Sequence, residues 1–175
     1  MESFEYAFNS CGIPLLCRWR RFPTVTLTAI RIGEKPTGDG NAVDLRQLPG
    51  EAAKLVDQID ALLRGELATL SLTGFDLAHL TGFQRKILLT LHDQVPRGHI
   101  VSYGRLAELA GDPGAARAVG GAMNRNPFPI VIPCHRVIAA DGGLGGFGPG
   151  TEWKIKLLEL EGLAPENLPE CLKKQ

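Results

Sequence analysis

The sequence predicts an α+β chain in two parts, a sheet-and-helix domain over residues 1–79 and a mainly helical domain over residues 80–175. Three observations carry this. Short apolar runs broken by turn residues fill the stretch from Phe4 to Gly33. Beyond Thr81 the apolar residues recur at helical spacing between recognisable caps. The whole is 175 residues and 44% hydrophobic without an apolar run long enough to span a bilayer, so it predicts a soluble chain able to bury one large core or two small ones.

In the first part, Phe4 to Phe8, Leu15 to Arg20 and Val25 to Ile32 predict strands of an antiparallel sheet, with turns at Gly12-Ile13-Pro14 and Phe22-Pro23. Gly33 to Gly50 predicts a loop. Ala52, Leu55, Val56, Ile59, Leu62 and Leu63 then repeat at helical spacing up to Gly65, predicting a helix that covers one face of the sheet. Nothing in this part suggests a catalytic site.

The second part opens on Thr81-Gly82-Phe83-Gln84, a capping box, followed by the stripe Phe83, Ile87, Leu88, Leu91 of a helix that ends before Pro96-Arg97-Gly98. Ser102 predicts the cap of a short helix closed by Gly111. Asp112-Pro113 predicts the start of the next, with Asp as cap and Pro at the first helical position. Two short helices joined by a Gly-Asp-Pro turn make a helix-turn-helix candidate with residues Gly114 to Asn124 in the recognition position. That second helix carries one long polar side chain, Arg117, among Ala115, Ala116, Ala118, Val119, Gly120, Gly121 and Ala122, too few groups to distinguish many base edges. A helix so bare suits close approach to a narrow groove, or tight packing on a neighbour; the residues leave both open. Asp141 to Gly150 holds six glycines and predicts an irregular loop, not a phosphate cradle, since no GxxxxGK[ST] is present. Thr151 predicts the cap of a last helix carrying Trp153, Ile155, Leu157, Leu158 and Leu160, ended by Gly162.

Charge and cysteine usage narrow the function. Lys+Arg against Asp+Glu is 8 to 10 over residues 1–79, 7 to 3 over 80–136 and 4 to 6 over 137–175, so a basic middle lies between two acidic segments. A local basic excess is what a phosphate-contacting surface needs. Cys11, Cys17, Cys134 and Cys171 form no disulfide or zinc spacing, which predicts a reducing compartment and no metal. The start of the chain, with Glu2 and Glu5, lacks the basic and apolar regions of a secretory signal.

One stretch stands out for chemistry: Ile130-Val131-Ile132-Pro133-Cys134-His135-Arg136-Val137, a thiol between two strand-like apolar runs. Pro133 restrains the backbone before Cys134, and His135 is a candidate proton acceptor. A cysteine in an apolar run is equally a small core residue.

With its neighbours the stretch resembles the O6-alkylguanine-DNA alkyltransferase family of direct-reversal DNA repair proteins. The resemblance runs from Phe83-Gln84 through Val95-Pro96-Arg97-Gly98, Val101-Ser102-Tyr103, Ala115-Ala116-Arg117-Ala118-Val119-Gly120, Asn126-Pro127 and Ile132-Pro133-Cys134-His135-Arg136-Val137 to Leu157-Leu158-Glu159-Leu160-Glu161. It implies an N-terminal ribonuclease H-like domain and a winged helix-turn-helix-like alkyltransferase domain. It further implies a single-turnover S-methyltransferase without cofactor, a monomer acting on double-stranded DNA that contains O6-alkylguanine. No membrane and no obligate protein partner is implied, and the location is cytoplasmic, at the nucleoid, or nuclear in a eukaryote.

The site residues follow from the same resemblance. Cys134 is the alkyl acceptor and His135, through a water and oriented by Glu161, its base. Arg117 fills the stack after the base flips, with Ala116, Ala118 and Gly120 against the groove. Tyr103 crowds the 3′ phosphate and hydrogen-bonds the flipped guanine. The carbonyls of Cys134 and Val137 accept from the exocyclic amine, Pro129 lies against the alkyl group, and Asn126 ties the turn after the recognition helix to the cysteine stretch. Phe147 and Gly148 stand where many members have a phenol and a serine, which implies a less polar pocket. Three rivals remain at this point: a non-repairing binder of alkylated bases, a cysteine hydrolase built on Cys134, His135 and Glu161, and a helix-turn-helix regulator with a structural thiol.

Overall fold

A computed structural model describes residues 3–21, 23–36 and 42–169. The chain mixes helix and sheet and divides into two compact units, residues 1–79 and 80–175. Among the described residues no helix is long and apolar enough to cross a membrane.

In the first unit three antiparallel strands, β1 (Ser3–Ser10), β2 (Ile13–Arg20) and β3 (Thr26–Ile32), lie in sequence order. Ser10 pairs with Ile13, so the β1–β2 hairpin turns on Cys11 and Gly12, at φ 52° and 72°. Two positive φ values give a type I′ turn, whose twist matches that of the strands it joins. The turn therefore falls one residue earlier than expected, and Ile13 and Pro14 belong to β2. Pro14 has no N–H to give a ladder and is tolerated near the strand's start. Ile13, Leu15, Cys17 and Trp19 alternate along β2 and are at most 2% exposed, the period of a strand with one face covered. Helix α1 (Gly50–Leu63) buries Ala52, Val56, Ile59, Leu62 and Leu63 at helical spacing. A hydrogen bond from the Ser10 hydroxyl to Asp60 joins it to the hairpin. The loop before it holds a turn of 3-10 helix at Leu45–Gln47. Residues 37–41, like Cys171 and Lys173-Lys174, lie outside the described residues.

The second unit starts with α2 (Gly82–Gln94). The Thr81 hydroxyl accepts from the Gln84 N–H at 3.2 Å, and the Gln84 side chain accepts from the Thr81 N–H at 3.1 Å. This reciprocal cap satisfies two donors that a helix N-terminus leaves open. Phe83 is half-buried, and Gln84 joins Ile87, Leu88 and Leu91 on the buried side instead. Helix α3 (Tyr103–Leu109) is capped by Ser102, whose hydroxyl accepts from the Arg105 N–H at 3.1 Å. Helix α4 (Ala116–Asn124) starts later than Asp112-Pro113 predicts, with Ala115 as N-cap and no side-chain cap. Gly114, at φ 86°, parts Pro113 from the helix, and the Asp112 carboxylate pairs with Lys86 of α2 at 2.7 Å instead. Helices α2, α3 and α4 pack on one another, and Leu88, Leu106, Val119 and Ala122 on them are fully buried.

Two short parallel strands, β4 (Val101–Ser102) and β5 (Val137–Ile138), pair next to the cysteine stretch. Only the run after Cys134 is a strand. Ile130-Val131-Ile132 is turn and bend, because Pro127, Pro129 and Pro133 remove N–H groups a ladder would need and Ile130 takes φ 78°. Helix α5 (Thr151–Leu160) has Gly150 as N-cap, so Thr151 is its first residue and no side chain caps it. Ile100, Ile138, Leu158, Leu163 and Leu168 form a core cluster beneath this region.

Candidate active site

Cys134 opens a single 3-10 turn, Cys134–Arg136, and is 6% exposed. Asn126, just past α4, holds it: Nδ2 donates to the Ile132 carbonyl at 2.8 Å and to Cys134 Sγ at 3.1 Å, while Oδ1 accepts from the Phe128 N–H at 3.0 Å. One amide thus ties the segment after α4 to the sulfur. Burial pushes the thiol's pKa up, against the pull of the Asn126 N–H and the nearby Lys154 ammonium. Such a thiol needs a base before it can act as a thiolate.

His135, 1% exposed, stands next to it with Nε2 2.9 Å from Glu161 Oε1. Burial lowers the imidazole's pKa while Glu161 raises it, and the net direction is down. The neutral ring then donates from Nε2 to the carboxylate, which leaves the lone pair on Nδ1. Nδ1 is buried and has no partner among the described residues. Burial by itself would raise the Glu161 carboxyl, but the hydrogen bonds and charges of His135 and Arg136 bring its pKa down to about 2. His135 is the larger cause and Arg136 the next, though Arg136 makes more hydrogen bonds to the carboxylate. Arg136 Nε and Nη2 each reach Glu161 at 2.9 Å, and Nη1 donates to the Val95 carbonyl at 2.6 Å. The Gly98 N–H completes the carboxylate's donors at 3.3 Å.

Tyr103, the first residue of α3, is half-buried between α4 and the glycine-rich loop. A β-carbon on Gly120 would lie 3.9 Å from its ring, and one on Gly145 would lie 2.9 Å from its hydroxyl. Only glycine lets the loop come so near, and Gly145 at φ 66° also has the backbone that favours it. The Tyr103 phenol is pushed up, by burial first and then by the charge of Cys134. Of the carbonyls expected to face a guanine, that of Cys134 accepts the Val137 N–H, and that of Val137 accepts from Lys154 at 2.7 Å. Pro129 is buried, Phe147 half-buried and Gly148 exposed. Arg117 and Ala118 lie exposed on α4, with Ala116 and Gly120 partly covered. No cluster of three His, Cys, Asp or Glu side chains that could hold a metal is found among the described residues.

Comparison with known proteins places this arrangement. Residues 82–163 match the family described as 6-O-methylguanine DNA methyltransferase, DNA binding domain. The methylated-DNA–protein-cysteine methyltransferase of Mycolicibacterium paratuberculosis is 41% identical over 160 residues, 90% of this chain and 92% of that protein. This chain belongs to the methylated-DNA–protein-cysteine methyltransferase family. The family member from Mycobacterium leprae is 48% identical over 112 residues, which span 64% of this chain and 66% of that relative's length. Among solved structures, Mycobacterium tuberculosis OGT in complex with DNA matches with a TM-score of 0.73 at 35% identity, covering 94% of this chain and 98% of that one. The O6-methylguanine-DNA methyltransferase of the archaeon Pyrococcus kodakaraensis matches at 0.69 and 29% identity, covering 92% and 99%.

For this family member the structure adds two residues that sequence reasoning missed. Arg136 lay inside the quoted motif without a role. Lys154 is fully buried on α5 and donates to the carbonyls of both Val137 and Leu144, pinning the glycine-rich loop to β5. Burial lowers its pKa to about 8. A signal was there: Lys154, Leu157, Leu158 and Glu161 follow the spacing of one helix face, and a lysine on such a stripe implies a buried acceptor.

Proposed function

We propose that this chain repairs DNA by direct reversal, taking an alkyl group, a methyl in the simplest case, from guanine O6 in duplex DNA onto its own Cys134. The observation that carries the reading is the buried Cys134 thiol, held by Asn126 and next to a neutral imidazole that is anchored at Nε2 by Glu161. Proton transfer from the thiol to His135, through a water, generates the thiolate. Sulfur attacks the alkyl carbon in line, a C–S bond forms, the C–O6 bond breaks, and its electron pair stays on the guanine. A proton taken up by the base restores guanine. A thioether has no easy hydrolytic exit, so each molecule reacts once.

The O6 substituent is stacked inside a duplex, so the nucleotide must leave the stack first. Arg117 fills the gap while Ala116, Ala118 and Gly120 let α4 approach the minor groove. Tyr103 crowds the 3′ phosphate and then hydrogen-bonds the extruded base. The carbonyls of Cys134 and Val137 accept from its exocyclic amine. Pro129 flanks the alkyl group, and Phe147 with Gly148 forms a less polar rim. The first unit is ribonuclease H-like, and the second is a winged helix-turn-helix-like domain that binds DNA and carries out transfer. The chain acts as a monomer without a protein partner on cytoplasmic, nucleoid-associated DNA.

Incubation with a duplex containing O6-methylguanine, followed by intact-mass and peptide analysis, tests this. One methyl on Cys134 is expected, and none on Cys134→Ser even though that variant still binds the duplex. Methylation of Cys11 or Cys171 with Cys134 untouched would overturn the assignment.

A further inference from the structure

Arg125 has no role in the mechanism above. It is the C-cap of α4, an exposed residue whose guanidinium folds back along the helix over Gly121. A β-carbon at Gly121 would come within 3.3 Å of Arg125 Nη2, so the bare backbone of that residue is the seat on which the guanidinium lies. The Arg125 guanidinium therefore lies at the level of Gly121, four residues beyond Arg117, which at about 1.5 Å per residue is about 6 Å along the axis.

The cations around it decide what it is for. Lys86 pairs with Asp112, Arg105 with Glu108 and Arg136 with Glu161. Arg97 donates to the Leu160 carbonyl, Lys154 to two carbonyls, and Lys156 lies over the Trp153 ring. Arg85 is engaged as well. Among the described residues of the second unit, Arg117 and Arg125 alone have no such partner, and between them lie the exposed Ala118 and the partly covered Gly120 and Gly121. An exposed guanidinium costs little to leave unpaired in water. Its planar donors are suited to a phosphate.

We propose that Arg125 is a second DNA-contacting residue, binding a backbone phosphate beside the minor groove while Arg117 enters the stack. The inference rests on the DNA-repair reading and extends it. With the minor groove about 6 Å wide, a guanidinium about 6 Å along the helix from the arginine inside the groove lies at its edge, beside the strand. Phosphate contacts of this kind fix register and orientation and carry no sequence information. Arg125 thereby sets how far α4 slides along the groove before Arg117 meets the lesion. A purely structural role is the competing account, because a cation at a helix C-terminus also favours the helix through its dipole.

Equilibrium titration of a short undamaged duplex at several salt concentrations separates the two. Each phosphate neutralised adds about 0.9 to the slope of log affinity against log salt. Arg125→Gln is expected to reduce that slope by about 1 and to weaken binding uniformly across duplex sequences, and Arg125→Lys to restore it. A native chain with a steep slope that Arg125→Gln leaves unchanged overturns the role of Arg125, whatever happens to its melting temperature. So does a slope lost in Arg125→Gln and equally in Arg125→Lys. A native chain whose binding does not depend on salt would instead overturn the DNA-repair reading itself.

Discussion

Arg136 and Lys154 are buried and donate to protein acceptors, whereas Arg117 and Arg125, in the same unit, are exposed and have no partner among the described residues. Removing a charge from water costs several kcal/mol unless its donors are satisfied, so the inner pair can exist only as part of a completed network. The outer pair is left by the fold in water, at little expense, and gains its interaction energy only when an anion arrives. Inner cations therefore belong to stability and site geometry, and outer ones to binding. Substitutions on the two sides are expected to part along that line.

The largest effect falls on the inner side. Arg136→Met strands the Glu161 carboxylate and is expected to cost about 3–5 kcal/mol, the usual penalty for breaking a buried pair. Calorimetry should show a melting temperature lower by roughly 15–25 °C for a unit of this size. A loss below about 1 kcal/mol would mean that Glu161 is hydrated after all.

Acid provides a second, smaller probe. Glu161 titrates at about 2 in the fold against an ordinary 4.5, so the folded chain resists protonation and the unfolded chain does not. Its contribution is complete above about 4.5, declines as pH falls and is gone near 2, a loss on the order of 3 kcal/mol. The lowered His135 pKa acts in the same direction below its ordinary 6.5. Urea denaturation between pH 6 and 2 should show this loss in the native chain and a shallower one in Glu161→Gln. Parallel curves for the two would detach Glu161 from acid stability.

On the outer side, Arg117→Ala is expected to leave the stability within about 0.5 kcal/mol of the native chain's. Its effect is on repair. In the proposed mechanism the stack is not refilled without the guanidinium, and base extrusion costs a few kcal/mol, least where pairing is already weak. Second-order rate constants should fall strongly for a well-paired duplex, less for a weakened pair opposite the lesion, and scarcely for free O6-alkylguanine. Equal slowing of all three would move Arg117 from the outer group to the inner one.

What was legible in the sequence divides in a related way. The Thr81–Gln84 cap could be read because both partners sit within one turn of each other. Asp112 misled because its partner is Lys86, 26 residues away, and that pairing competes with capping. Cys134 and His135 are adjacent and visible. Glu161 was reached only through the family resemblance, since nothing local marks it as the residue behind His135. Ile130's φ of 78° has no sequence signature at all, and it is one reason the run before Cys134 is not a strand. Arg125 was overlooked because being unpaired is a property of the surroundings, which only the folded chain supplies.

The tight β1–β2 turn has a practical consequence. By putting Cys11 at the tip of a hairpin, it presents an exposed thiol, while Cys17 and Cys134 are buried. The accessible thiol and the proposed acceptor are thus different cysteines. Among the described cysteines a small soluble electrophile is expected to find Cys11 first, whereas in the proposed mechanism an alkyl group on an extruded base meets Cys134. A dye on Cys11 would therefore label the protein while sparing the buried sulfur that is proposed to take up the alkyl group.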